Sequence, residues 1–174
     1  MLTEEQEKWL GHLDNDKKVE ILTYNPKTKE VFEKIKKEIQ VLLPNTEVLH
    51  CGSTALEIAG QGEIDLYIPV SENVFDEYLE KLTQHFGKPG SIYPLKRVRF
   101  VQYRENIKIE IFLVNKNTDD WKNLQKFESY LQKNPEALNE YVGLKESSRG
   151  LSIQQYYRKK LEFITKILKN INGN

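Results

Sequence analysis

The 174-residue sequence has a single cysteine, Cys51, and no excess of charge of either sign. One cysteine excludes a framework of intramolecular disulfides and fits a reducing compartment. Lys plus Arg and Asp plus Glu number 26 each, so no global charge favours a nucleic-acid or membrane partner. Any anionic ligand is therefore expected to be held by local groups.

Long apolar runs are also absent. A membrane-spanning helix needs about 20 consecutive, mainly apolar residues, and no stretch of the chain approaches that length. The N-terminal residues, MLTEEQEKWLGHLDNDKK, are polar and acidic early, unlike a secretory signal. The sequence contains no internal repeat and no low-complexity stretch. These absences predict a soluble, cytoplasmic protein without a membrane partner.

Hydrophobic periodicity divides the chain into an α/β core, about residues 19–114, and a helical part, about 118–170. The predicted strands cover residues 19–23, 48–51, 64–68, 97–103 and 107–114. Helices are predicted around Trp9 and after Asn25-Pro26, Ser71, Thr118, Asn134-Pro135 and Ser152. Because no linker separates the two parts, residues 1–174 are predicted to be one domain. The predicted fold class is α+β, a small mixed β-sheet packed with helices.

Two carboxylates, Glu63 and Asp65, lie on one predicted strand, ten and twelve residues after Gly52-Ser53. Strand positions two apart share a face. Like charges there repel and lower stability unless water or a cation offsets the repulsion. Glu110 lies on the polar side of a later predicted strand. If the two strands are neighbours, three carboxylates converge beside the Gly-Ser turn.

Three converging carboxylates supply the hard oxygen ligands that suit Mg²⁺ or Mn²⁺. Such ions bridge to substrate phosphates, and two of them about 3.5–4 Å apart stabilise both the attacking and the leaving oxygen. The small residues Gly52 and Ser53 let backbone N–H groups approach a phosphate, and the Ser53 hydroxyl adds a donor. The pattern therefore favours metal-assisted phosphoryl or nucleotidyl transfer.

The spacing of Gly-Ser, acidic-x-Asp and a later carboxylate resembles the nucleotidyltransferase superfamily, and within it the GrpB-like family. The positions that match the family's His-x-Gly-Ser-Thr-Ala motif and its Asp are His50, Gly52, Ser53, Thr54, Ala55 and Asp65. Further matches are Tyr24-Asn25-Pro26, residues 127–131, Asn134-Pro135-Glu136, Tyr141, Leu144-Lys145, Tyr157, Lys160 and Phe163. The resemblance covers most of the chain, in order.

The chain departs from the family at two places. The family's Val-Pro-Gly is Leu56-Glu57-Ile58 here, and its Lys-Pro is Gln61-Gly62. The missing lysine removes a candidate phosphate contact. Glu63, in contrast, replaces an apolar family position and restores the acidic-x-Asp pair of active superfamily members.

The resemblance implies a nucleotidyltransferase-like fold and a Mg²⁺-dependent enzyme that transfers a nucleoside monophosphate from an NTP to an unknown acceptor. Its catalytic metal ligands would be Glu63, Asp65 and Glu110, and Gly52 and Ser53 would hold the triphosphate. The alternative is a non-catalytic nucleotide- or phosphate-binding module on the same fold. An interaction protein, such as one half of a toxin–antitoxin pair, is a third class.

Simpler interpretations exist for several of these residues. The acid pair could be incidental charge on a solvated strand face, and Lys108 could be the ion partner of Glu110. Arg97 and Arg99 could clamp a nucleotide phosphate or lie on a solvated edge strand. His50 is expected to pack or hydrogen-bond at its strand end, because a hard cation is better served by oxygen.

Overall fold

A computed structural model describes residues 2–173. Its helices are α1 (Glu4–Gly11), α2 (Lys27–Leu42), α3 (Gly52–Ala55), α4 (Glu72–Phe86), α5 (Asp119–Lys133), α6 (Pro135–Glu146) and α7 (Ile153–Asn172). Its strands are β1 (Leu49–Cys51), β2 (Ile64–Val70), β3 (Ser91–Tyr93), β4 (Arg97–Arg104) and β5 (Ile107–Asn115). The predicted α+β fold class is confirmed. None of the helices in the described residues combines the length and the apolar character of a membrane span.

The chain divides into two compact units. The sheet unit comprises Tyr24–Ile58 and Gly62–Lys122, and it holds all five strands. The helical unit comprises Met1–Thr23, Ala59–Gln61 and Asn123–Asn174. The expectation that the whole chain is one domain stays a prediction.

The five strands form one mixed sheet in the order β1-β2-β5-β4-β3. The central strands β2 and β5 are parallel, and the other three pairings are antiparallel. A parallel pair cannot be closed by a tight hairpin, and here α4, β3 and β4 lie between the two central strands in sequence. The register of this pair places Asp65 directly beside Glu110.

One side of the sheet packs against α2 and α4. Alternation along β2 buries Ile64, Leu66 and Ile68 on this side. The apolar stripes of the two helices complete the core with Val31, Phe32, Ile35, Ile39, Phe75, Leu82 and Phe86. Residues that alternate with the buried ones therefore point to the opposite side of the sheet, which we call the polar side.

The helical unit has an aromatic core. Tyr156 is fully buried and packs with Val19 and Ile21. Tyr141 stacks on Phe163 with ring centroids 5.2 Å apart. Ser152 begins α7 with a capping box, in which its hydroxyl accepts from the Gln155 backbone N–H.

Two predicted elements differ from the structure. Residues 19–23, predicted as a strand, form only one isolated bridge, Leu22 with Gly60, and the preceding Lys18 forms another with Ser152. Residues 91–93, which lie outside all the predicted strands, form the edge strand β3 by pairing with β4. In both cases the partner, which local sequence does not reveal, decides whether an extended segment becomes a strand.

Candidate active site

Three carboxylates meet on the polar side of the sheet. Asp65 lies on β2, Glu110 lies beside it on β5, and Glu63 directly precedes β2. One ligand oxygen from each residue lies within 4.8 Å of the others. The predicted convergence is present, and we call Glu63, Asp65 and Glu110 the acid cluster. Whether these residues are catalytic or bind metal stays a prediction.

The acid cluster has limited access to water. The side chains of Glu63 and Glu110 are 17% and 10% exposed, and Asp65 is half-buried. A carboxylate that loses its water needs a hydrogen-bond donor or a positive charge in its place. The cluster therefore needs hydrogen-bond donors or cations close to its oxygens.

Lys108 supplies one such charge. Its Nζ lies 2.8 Å from Glu63 Oε2 and 2.7 Å from Glu110 Oε1. Partial burial alone would lower the pKa of the Lys108 ammonium, but the hydrogen bonds to Glu110 and Glu63 outweigh it and raise the pKa above its ordinary value. Lys108 is therefore charged at neutral pH, and it is the ion partner of Glu110 that the sequence allowed.

The two arginines predicted to bind nucleotide have different environments. Arg99 Nη1 donates to Glu110 Oε1 over 3.1 Å, so this side chain is engaged with the acid cluster. The Arg97 guanidinium instead lies 5.0 Å from the ring centroid of Tyr93 and 5.9 Å from that of Phe112. Within residues 2–173 no carboxylate pairs with Arg97, so its N–H donors are available to an anion.

The Gly-Ser turn lies against the acid cluster. Gly52 begins α3 directly after β1, with a φ of 78° that favours glycine. A Cβ at this position would overlap Asp65 Oδ2 and lie 3.2 Å from Asp65 Cγ. Strand pairing holds the turn there, since Cys51 is opposite Asp65 in the β1–β2 register. The missing side chain of Gly52 is thus a condition for the position of Asp65.

His50 ties this turn to the acid cluster through Thr54. The Thr54 hydroxyl donates to the Glu63 carbonyl oxygen over 3.1 Å and lies 2.9 Å from His50 Nε2. A hydroxyl has one proton to donate, so the ring must donate to Thr54 from Nε2. Burial, with a smaller contribution from Lys29, lowers the pKa of His50 to about 4. The neutral ring also stacks on Phe32 at 4.5 Å.

Two features of the site were not found from the sequence. One is the contact of Lys108 with Glu63, which lies 45 residues away. The other is the hydrogen-bond chain from His50 through Thr54. The sequence signal for this chain was the shared motif, since His50 and Thr54 both belong to the His-x-Gly-Ser-Thr stretch.

Gln61, at the position of the family's lysine, accepts a hydrogen bond from Tyr157 in the helical unit.

The donor set fits a divalent cation. Three carboxylates that bring one oxygen each within 4.8 Å of the others can share one ion. Mg²⁺ and Mn²⁺ take such oxygens, Mg²⁺ at about 2.0–2.1 Å. The glycine at position 52 keeps a side chain out of the same space. Lys108 is the feature that competes with such an ion.

Comparison with known proteins agrees with the sequence motifs. The GrpB protein family profile matches residues 18–170. A UPF0157 protein of Vibrio cholerae serotype O1 is 26% identical over 147 residues, which cover 83% of this chain and 78% of the relative.

One solved structure that matches most of the chain supports the fold. The crystal structure of the conserved protein GrpB from Enterococcus faecalis matches with a TM-score of 0.68 and 23% identity, covering 87% of this chain and 96% of that chain. The Cid1 poly(U) polymerase matches with a TM-score of 0.45 and 14% identity, covering 77% of this chain and 44% of that chain. Since the family profile spans most of the sequence, including the Gly-Ser turn and the acid cluster, the chain belongs to the GrpB family.

Proposed function

We propose that this protein is a divalent-cation-dependent nucleotidyltransferase that transfers a nucleoside monophosphate from an NTP to an acceptor. The observation that carries the proposal is the approach of Glu63, Asp65 and Glu110 within 4.8 Å, beside Gly52. Carboxylates this close repel unless positive charge lies among them. A divalent cation together with the phosphates it attracts would complete such a site.

Each predicted site residue has a role in this proposal. Glu63, Asp65 and Glu110 would hold Mg²⁺ or Mn²⁺, which when bound would neutralise phosphate charge and stabilise the attacking and leaving oxygens. Gly52 and Ser53 would line the triphosphate with backbone N–H groups and one hydroxyl. These roles require only groups that already lie on the polar side of the sheet or at its Gly-Ser turn.

Arg97 and Arg99 have different roles in this proposal. Arg97 would bind a substrate phosphate, because its guanidinium is held by ring contacts and keeps its donors free of carboxylates. Arg99 would position Glu110 through their hydrogen bond rather than contact nucleotide. The prediction was that both arginines bind nucleotide. The proposal keeps this role for Arg97 and gives Arg99 a positioning role.

The proposed reaction releases pyrophosphate. The acceptor nucleophile forms a bond to the α-phosphorus of the NTP, the bond from that phosphorus to the β-phosphate oxygen breaks, and the acceptor's proton passes to a carboxylate or water. The proposal specifies neither the acceptor nor the nucleobase of the NTP. Metal, nucleotide and acceptor are thus the partners that the proposal requires.

Pyrophosphate release is the test. The protein should release pyrophosphate from at least one of the four NTPs when Mg²⁺ or Mn²⁺ is present and an extract of the native host, split into RNA, protein and small-molecule fractions, supplies the acceptor. Asp65→Asn should lose nearly all of this activity. Asp76→Asn, the same change at an exposed acid of α4, should retain it. Failure of every NTP and fraction would contradict the proposal.

A second candidate is a nucleotide- or phosphate-binding module without turnover. Lys108 favours it, because an ammonium already compensates Glu63 and Glu110. The hydrogen bond from Tyr157 to Gln61, at the position of the family's lysine, agrees with it as well. Calorimetric titration with NTP separates the two candidates: tight binding that is independent of Mg²⁺ and yields no pyrophosphate would favour the module.

A further inference from the structure

We propose that the ammonium of Lys108 takes one of the cation positions of the acid cluster. The folded protein would then bind one divalent ion fewer than its carboxylates could hold. This inference rests on the proposed metal site and specifies how many ions that site takes. In this inference Lys108 limits the number of divalent ions that the acid cluster binds.

The contacts of Lys108 carry the inference. Its Nζ lies between Glu63 Oε2, at 2.8 Å, and Glu110 Oε1, at 2.7 Å. A Mg²⁺ ion bound to the same two oxygens would lie about 2.0–2.1 Å from each. An ammonium and an ion that both bridge this pair of oxygens would overlap. Lys108 and a divalent ion therefore exclude each other from the position between Glu63 and Glu110.

The local charges agree with this geometry. The acid cluster carries three formal negative charges, and the Lys108 ammonium and the Arg99 guanidinium, which both donate to Glu110 Oε1, offset two of them. A single divalent ion already more than offsets the one that remains. A second divalent ion would be repelled by Lys108 and also by Arg99, which donates to the same oxygen, Glu110 Oε1, over 3.1 Å.

The sheet holds Lys108 in this place. Lys108 lies on β5 two residues before Glu110, so both side chains leave the strand on the polar side. The register of β2 and β5, with Ile64 beside Ile109, brings Lys108 level with Glu63. Only 35% of the Lys108 side chain is exposed. The ammonium is thus positioned by the two central strands, unlike that of a solvated surface lysine.

The number of Mn²⁺ ions bound by the full chain tests the inference. Equilibrium titration without nucleotide, followed by calorimetry and by the electron paramagnetic resonance signal of free Mn²⁺, gives this number. Lys108→Met should bind one ion more per chain than the wild type. Lys108→Arg, which keeps the positive charge, should bind the wild-type number.

Lys88→Met is the matched control. It removes a lysine of the same unit that is exposed and lies on the loop after α4, outside the acid cluster. This variant should bind the wild-type number of ions. An extra ion in Lys88→Met would overturn the inference, because net charge would then explain the gain. Equal numbers in the wild type and Lys108→Met would overturn it too.

The same counts separate this inference from the proposed function. One ion in both the wild type and Lys108→Met would overturn the inference and leave the metal site standing. No ion in the wild type and one in Lys108→Met would support the inference and argue against metal use by the wild type. If neither protein bound an ion, both the inference and the proposed metal site would be overturned.

A spectrum of the Mn²⁺-loaded wild type decides the question without any variant. Two ions about 3.5–4 Å apart would share the carboxylates of the cluster and give a spin-coupled resonance signal. The uncoupled signal of a single ion is the expected result. A coupled signal in the wild type would overturn the inference even if Lys108→Met did not fold.

Discussion

The imidazole of His50 makes the folded protein sensitive to acid. Its pKa is lowered from 6.5 to about 4 by burial and, less strongly, by Lys29. Between these values the unfolded chain binds a proton that the folded protein excludes, so stability falls as the pH is lowered. The contribution is complete above pH 6.5 and is lost on the way to pH 4. Because the ring keeps some access to water, we expect a loss on the order of 1–3 kcal/mol.

His50→Gln should weaken this dependence. The glutamine amide can still donate to the Thr54 hydroxyl but does not titrate. Urea unfolding at pH values above 6.5 and near 4 should therefore show a smaller loss of unfolding free energy in His50→Gln than in the wild type. His12→Gln, which removes a histidine of the helical unit, should keep the wild-type dependence. Equal losses in the wild type and His50→Gln would show that other groups cause the acid sensitivity.

The sequence predicted the acid cluster and offered Lys108 as an ion partner of Glu110, but it did not predict the contact of Lys108 with Glu63. Strand alternation placed Glu63 and Asp65 on one face, and the resemblance to the family's spacing placed Glu110 beside them on the condition that the two strands are neighbours. The contact of Lys108 with Glu63 depends on the register of β2 against β5, which is set by packing between segments 45 residues apart. A local pattern could offer Lys108 only to Glu110, its neighbour on the same strand.

At the scale of elements, the junction of β1 and α3 is constrained in two ways. Gly52 combines a φ of 78° with a position where a Cβ would overlap the Asp65 carboxylate. Gly150 of the helical unit has nearly the same φ, 77°, yet a Cβ there would meet no atom within 4 Å. Substitutions at these two glycines therefore distinguish the effect of backbone strain from the effect of the contact with Asp65.

Gly52→Ala should lower stability more than Gly150→Ala. Both variants place a side chain at positive φ, which lowers the free energy of unfolding by roughly 1–2 kcal/mol. Gly52→Ala must also displace Asp65, which adds about 1–3 kcal/mol. Denaturant unfolding measures the difference, and Mn²⁺ titration should show weaker binding in Gly52→Ala alone. Equal stabilities and equal metal binding would mean that Gly52 only shapes the turn.

Elements with strong local signals were predicted and confirmed. The helix predicted after Asn25-Pro26 is α2, with its apolar stripe in the core. The alternating apolar residues of 107–114 form β5, and Ser152 caps α7. Strand β3 and the extended segment 19–23 were predicted wrongly, because β3 exists only through pairing with β4 and residues 19–23 lack a ladder partner. Pairing at an edge is a tertiary property that a three-residue pattern does not encode.

For the whole molecule, a formal charge of 0 does not exclude local groups of like charge. The acid cluster brings three carboxylates together in the sheet unit. Divalent cations that bind there and not to the unfolded chain should stabilise the folded protein. Global electrostatics does not predict this effect, because it comes from one local group of charges.

Mg²⁺ should therefore raise the melting temperature of the wild type. At a concentration about 100 times Kd the stabilisation is about 2.7 kcal/mol, or roughly 5–10 °C for a chain of this size. Asp65→Asn should lose the response and, without metal, be at least as stable as the wild type, since one repelling charge is gone. Thermal scans at constant ionic strength give both results. A full response in Asp65→Asn would place the ion outside the acid cluster.

The parallel pairing of β2 and β5 also determines when the acids meet during folding. Glu63 and Asp65 are synthesised well before β5, and a long loop must close before Glu110 can join them. The strand that brings this third acid carries Lys108 two positions ahead of it, so its counter-charge docks in the same step. In a nascent chain that ends before residue 107, the edge of β2 that pairs with β5 would be unpaired and open to association with other chains. Completion of β5 would therefore cover this edge and remove one route to misassembly during synthesis.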